Sequence, residues 1–198
     1  LMPRDDGFFI RSVGDDCLVT EAVSEAGLLA TTDTFVDTVH FAREYMTFEE
    51  TGRRCMAASV SDIAAMAGTP LFSLVSLSMP KDMALDDAAG LFRGLAETAQ
   101  RYGCPIAGGE TTSTPGPVTV TVTVIGKTPK SGVVLRSGAH PGDSVYVTGN
   151  IGDAMAGLET FLRDAPGFDD LRRKFIAPEA RIAEARTLAE LYRITAMI

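Results

Sequence analysis

Val118-Thr119-Val120-Thr121-Val122-Thr123-Val124 alternates apolar and polar residues without a break. Successive side chains of a strand point to opposite faces, so this stretch reads as a strand with its valines on a core and its threonines on a wetter surface. Upstream, Leu71 to Met79 reads as a buried strand between two helices. The first helix starts from a cap at Thr47 or Glu49 and runs to about Ala67, with Met56, Val60, Ile63, Ala64 and Ala67 on one face. The second runs from about Leu85 to Tyr102, with Gly103 as its stop. Earlier still, Gly14-Asp15-Asp16 forms a turn, Cys17 to Val19 begins a short strand, and Leu28 to Asp33 is a strand ending in a carboxylate.

Downstream, Pro141-Gly142-Asp143 is a turn and Ser144 to Thr148 a strand. A helix from about Asp153 to Leu162, a loop over Ala165 to Phe168, and a last helix opening at Pro178 complete the reading. Strands and helices mix without a regular βαβ beat, which favours an α+β fold over a doubly wound sheet.

The 198 residues are 45% hydrophobic and 22% charged, the balance of a folded soluble chain. A net charge of −8 disfavours binding of nucleic acid through an electrostatic patch. The same carboxylates can hold divalent cations, which would draw phosphate to an acidic site. Cys17, Cys55 and Cys104 form no C-x-x-C pair and are odd in number, so neither a zinc site nor a disulfide framework is indicated. A reducing cytoplasm fits them best. The uncharged run Ile63 to Pro80 is broken by Gly68-Thr69-Pro70 and is not read as a membrane span. The chain opens on Leu1-Met2 and stops in the apolar Ile194 to Ile198, so it is expected to be part of a longer one.

Four acidic positions share small or Gly-rich surroundings at the edge of an apolar element: Asp16, Asp33, Asp62 and Glu110. Magnesium takes a few carboxylates together with substrate phosphates, and neighbouring Thr and Ser hydroxyls supply further oxygens. Taken alone, each position reads first as a turn or cap residue, and it is the recurrence of four such positions that brings a metal cluster level with that reading. Gly149-Asn150-Ile151-Gly152 opens a helix where amides can cradle an anion, or is a plain strand-to-helix turn. No G-x-x-x-x-G-K-[ST] run is present, and no Ser or Cys is set for a nucleophilic triad. His40 lies near a candidate metal carboxylate and can donate to a phosphate or hydroxyl. Arg136 is a phosphate clamp or a solvated strand-end residue.

Together the motifs resemble the thiamine-monophosphate kinase family of the aminoimidazole ribonucleotide synthetase-like superfamily. The matching segments are Gly14-Asp15-Asp16, Thr31-Thr32-Asp33 with His40-Phe41, and Ser59 to Met66. Gly108-Gly109-Glu110-Thr111-Thr112, Arg136 to Ala139 with Pro141-Gly142-Asp143, and Tyr146 to Gly149 with Gly152-Asp153 follow in the family's order. The resemblance implies ATP-dependent phosphorylation of thiamine monophosphate to thiamine diphosphate, by direct in-line transfer with magnesium. It implies Asp16, Thr31, Thr32, Asp33, Asp62 and Glu110 as metal ligands, His40 as a substrate contact, and Gly109, Glu110 and Arg136 as ATP contacts. No protein nucleophile is implied. The family usually carries Asp where this chain has Glu110, and a later Asp-x-Ser-Asp-Gly motif would begin after Ile198.

The implied fold has an N-terminal mixed-sheet α+β domain over residues 1–136, which pairs with a second subunit in a homodimer. Residues 137–198 would start a C-terminal α/β domain. Relatives acting on selenophosphate, purine intermediates or in hydrogenase maturation remain alternatives, as does a non-catalytic dimerising nucleotide-binding module.

Overall fold

The computed structural model describes residues 9–11, 17–22, 26–130 and 132–198. Six strands form one sheet: β1 (Phe9–Arg11), β2 (Leu18–Ala22), β3 (Gly27–Val36), β4 (Thr69–Met79), β5 (Ile106–Ser113) and β6 (Thr119–Lys127). Their spatial order is β1-β2-β3-β6-β4-β5. Among the strand pairs of the described residues, β4–β5 alone is parallel. Two long helices, α1 (Phe48–Ala65) and α2 (Leu85–Arg101), cover one face.

The valine–threonine alternation of β6 sets the two faces as its sequence requires. Val118, Val120, Val122 and Val124 are buried against the helices with Met56, Val60 and Ile63 of α1 and Leu91 and Leu95 of α2. On the other face, Thr32 and Thr34 of β3 and Leu74 and Ser76 of β4 are exposed. Thr32 and Thr34 hydroxyls bond across to Thr123 and Thr121 at 3.0 and 2.9 Å.

Thr47 starts α1 through a capping box. Its hydroxyl accepts from the Glu50 amide at 3.2 Å, and the Glu50 carboxylate accepts from the Thr47 amide at 2.8 Å. The helix ends in a Schellman turn. Ala67 at φ +54° closes it, and the Gly68 amide reaches the Ile63 carbonyl at 2.9 Å. Helices α1 and α2 meet backbone to backbone. A methyl added at Gly52 would lie 2.2 Å from the Leu91 carbonyl oxygen, and one at Gly94 1.9 Å from that of Glu49.

Beyond a 3₁₀ turn at Arg136–Gly138 come α3 (Asp153–Leu162), α4 (Asp169–Ile176) and α5 (Ile182–Leu191). Phe175 of α4 is buried, and Tyr45 stacks on Phe161 with ring centroids 5.5 Å apart. Arg54 of α1 lies 4.3 Å over the Phe175 ring and donates to the Phe175 carbonyl. The Ala180 amide donates to the Tyr102 hydroxyl at 2.9 Å.

Several boundaries differ from the sequence reading. Strand β3 continues past Asp33 to Val36, because the whole run pairs with β6. Ser144 to Thr148 form no strand: Val145 and Tyr146 are 92% and 88% exposed, with no neighbouring strand to pair with among the described residues. The last helix begins at Ile182 rather than Pro178. β5 and α4 were not anticipated.

Candidate functional site

The sheet register places the candidate residues by row and by face. Asp33 pairs with Val122, Val122 with Val75, and Val75 with Gly109, so the four lie in one row across β3, β6, β4 and β5. Thr31 stands two residues from Asp33 on the same, helix-covered face, 9% exposed. Asp62, in the last turn of α1, looks onto this face. The Thr31 hydroxyl donates to Asp62 Oδ2 at 2.5 Å, and the Cys17 thiol donates to the Asp62 carbonyl at 3.3 Å. Three segments far apart in sequence therefore converge at the end of α1.

Asp33 faces α1 beside Cys55. Burial pushes the Cys55 thiol up, Arg54 opposes the rise, and the Asp33 carboxylate adds to it. Cys17, Cys55 and Cys104 are all buried and none is in a disulfide, and burial raises Cys104 as well. The apolar settings of Cys55 and Cys104 had signalled that burial.

Thr32 and Glu110 lie on the opposite face. Glu110 is exposed, pairs with Ser76 in register, and accepts from its neighbour's amide, Thr111 N–H, at 3.0 Å. From β3 to β5 is three strand steps, about 14 Å, so Glu110 does not meet Asp33 within one chain. Gly109 points the other way, and its strand runs tight on β4. A methyl there would lie 1.8 Å from the Val75 carbonyl oxygen, so no larger residue fits.

His40 is exposed just beyond β3, its Nδ1 accepting from the Val36 amide at 3.0 Å. Arg136 is exposed in the 3₁₀ turn. Asp16 lies outside the described residues. Among the described residues no group of three or more His, Cys, Asp or Glu is set to hold a metal ion. The structure thus brings Thr31, Asp33 and Asp62 to one face and leaves Thr32, Glu110, His40 and Arg136 apart from them. Thr31, Asp33 and Asp62 are hard oxygen donors, the type that magnesium takes. The Thr31–Asp62 bond itself was not foreseen, and no sequence spacing signals a contact across 31 positions.

Residues 14–128 match the family model of the AIR synthase related protein, N-terminal domain. The chain belongs to this family. Among curated AIR-synthase-related proteins it is 40% identical over 152 residues to the thiamine-monophosphate kinase of Bacillus subtilis (strain 168), covering 77% of this chain and 47% of that protein. The solved structure of AaThiL complexed with AMPPCP and TMP superposes with a TM-score of 0.84 at 31% identity, over 93% of this chain and 59% of that one. The HypE–HypF complex, at 20% identity and a TM-score of 0.71 over 89% of this chain and 56% of that one, shares the fold. The chain spans about half the length of the curated relatives it matches. Its α+β, mixed-sheet architecture is the one the family resemblance implied. Among the described residues no helix is long and apolar enough to cross a membrane.

Proposed function

We propose that the protein is a thiamine-phosphate kinase, transferring the terminal phosphoryl group of ATP directly to thiamine monophosphate to give thiamine diphosphate. The observation that carries this reading is the convergence of Thr31, Asp33 and Asp62 on one sheet face, in a chain whose curated relatives are thiamine-monophosphate kinases. Phosphoryl transfer asks for positioning and charge neutralisation more than for a protein nucleophile, and the buried thiols offer none.

Thr31, Asp33 and Asp62 would hold magnesium, which neutralises phosphate charge when bound. Asp16, Thr32 and Glu110 join the metal set by family resemblance. His40 contacts thiamine monophosphate, while Gly109, Glu110 and Arg136 contact ATP. Residues 1–136 form the nucleotide- and metal-binding domain and 137–198 belong to a second. The open sheet face, lined by Thr32, Thr34, Leu74 and Ser76, is the side a second copy covers in a cytoplasmic homodimer.

The test uses the full-length native protein with thiamine monophosphate, ATP and magnesium, and measures thiamine diphosphate by chromatography. Turnover dependent on magnesium is expected. ATP consumption on another acceptor, with no thiamine diphosphate above background, overturns the reading. Light scattering on the same sample is expected to return twice the mass of one chain.

A further inference from the structure

Residues 36–41 form a closed hook beyond β3. The Val36 carbonyl accepts from the amides of Val39 at 3.1 Å and His40 at 2.9 Å, and the Thr38 amide donates to the Phe41 carbonyl at 2.7 Å. Thr38 closes the hook at φ +68°. Phe41, 1% exposed, pins its far end in the core. The hook folds the His40 ring back over its own start: the Val36 amide donates to Nδ1 at 3.0 Å. The Phe35 ring meets it edge-on, with centroids 6.1 Å apart at 75°. His40 as a residue is exposed.

A backbone N–H only donates, so the ring nitrogen receiving it carries no proton. In neutral imidazole the proton then sits on Nε2, the atom left facing outward. We infer that the Val36 amide fixes His40 as the Nε2–H tautomer, which makes that amide a positioning group and His40 a single, pre-aimed hydrogen-bond donor. This rests on the kinase reading above and deepens it. A lone outward donor matches an acceptor-only partner. A phosphate oxygen meets that requirement, as do the ring nitrogens of the aminopyrimidine, whereas its exocyclic amine does not. His40 therefore receives thiamine monophosphate at an acceptor atom, of which the charged phosphate oxygens make the stronger partners.

The geometry also ranks two substitutions. The side-chain amide nitrogen of Gln reaches the place of Nε2, whereas that of Asn stops near Nδ1, where the Val36 amide already points. Losing the donor to a charged oxygen corresponds to about ten- to hundredfold in kcat/KM.

The experiment is ¹⁵N NMR on the histidine-labelled full-length protein at neutral pH, with the His40 signals assigned by their loss in His40→Gln. A pyrrole-like Nε2 and a pyridine-like Nδ1 are expected, with the Nε2–H proton moving downfield on addition of thiamine monophosphate. A protonated Nδ1 overturns the inference and leaves the kinase reading standing. So does an Nε2–H that ignores thiamine monophosphate in a protein that phosphorylates it. In parallel kinetics His40→Asn is expected to lose more kcat/KM than His40→Gln, mainly through KM; equal losses or the reverse order also overturn it. Absence of phosphorylation by the wild-type protein is a separate result that removes the kinase reading itself, while the spectrum of the free protein still reports the tautomer.

Discussion

The Thr31 hydroxyl donates to Asp62 Oδ2 at 2.5 Å, tying strand β3 to the last turn of the helix that covers it. A hydrogen bond to an ionised carboxylate is stronger than one between neutral groups, and it fixes the direction in which the second oxygen faces. Thr31→Val keeps the shape and removes the donor. It is expected to lower stability by about 1.5–3 kcal/mol, read from the urea midpoint. Thr31→Ser, which retains the hydroxyl, is expected to recover most of that loss. Identical midpoints for wild type and Thr31→Val would show that the contact adds nothing.

Asp62→Asn preserves size and takes away the charge. If Asp62 holds a cation in the working enzyme, activity falls by more than about tenfold, and added magnesium partly restores it. Full activity at ordinary magnesium would reduce Asp62 to a helix residue bonded to Thr31.

Gly109→Ala places a methyl 1.8 Å from the Val75 carbonyl. Strand β5 has to shift away from β4, at a cost of about 1–3 kcal/mol. Glu110→Ala, one position along on the exposed side, is expected to leave the denaturation midpoint nearly unchanged. The contrast between the two is the measurement, since an equal effect would mean that β5 as a whole tolerates displacement.

Thr38 is a β-branched residue at φ +68°, a conformation that costs an L-residue about 1–2 kcal/mol. Glycine removes that strain and adds about 0.5–1 kcal/mol of unfolded-chain entropy. Thr38→Gly is therefore expected to be neutral to slightly stabilising in thermal unfolding. A marked loss would mean that the Thr38 side chain contributes contacts outweighing its strain.

Burial holds the Cys55 thiol above its ordinary value of 9.0. The folded chain keeps this proton to higher pH than the unfolded chain does. Its contribution to stability is therefore whole below pH 9.0 and declines as pH rises beyond that. Denaturation midpoints from pH 8 to 10.5 are expected to fall more steeply for wild type than for Cys55→Ala. Parallel curves would assign the alkaline loss to other groups.

Where side chains repeat with the period of their element, sequence and structure agree closely. The β6 valines, the apolar face of α1 and the Thr47 cap all stand where their spacing puts them. Strand β5 was illegible because Gly108 to Ser113 are exposed on both sides at the sheet's edge, so no burial alternation marks them. Helix α4 hides in a charged segment, DDLRRKFI, in which Phe175 alone is buried. Asp33 looked like a strand end because apolar residues thin out there, yet the hydrogen-bonded ladder carries β3 to Val36. The motifs pointed to Asp33, Asp62 and Glu110 as one set. Only the register reveals that Glu110 faces away from the other two, because a side chain's face depends on pairing between strands that lie far apart in the chain.

The row that runs from Asp33 through Val122 and Val75 to Gly109 also constrains how such a chain can change length. One residue added within β6 or β4 would turn every later side chain of that strand over, which in β6 buries threonines and exposes valines. Such an insertion would also slide Asp33 out of line with Gly109. The connections at the strand ends carry no such penalty, so natural and engineered insertions should collect in segments such as 114–117 and 80–84, leaving the interiors of the strands at constant length.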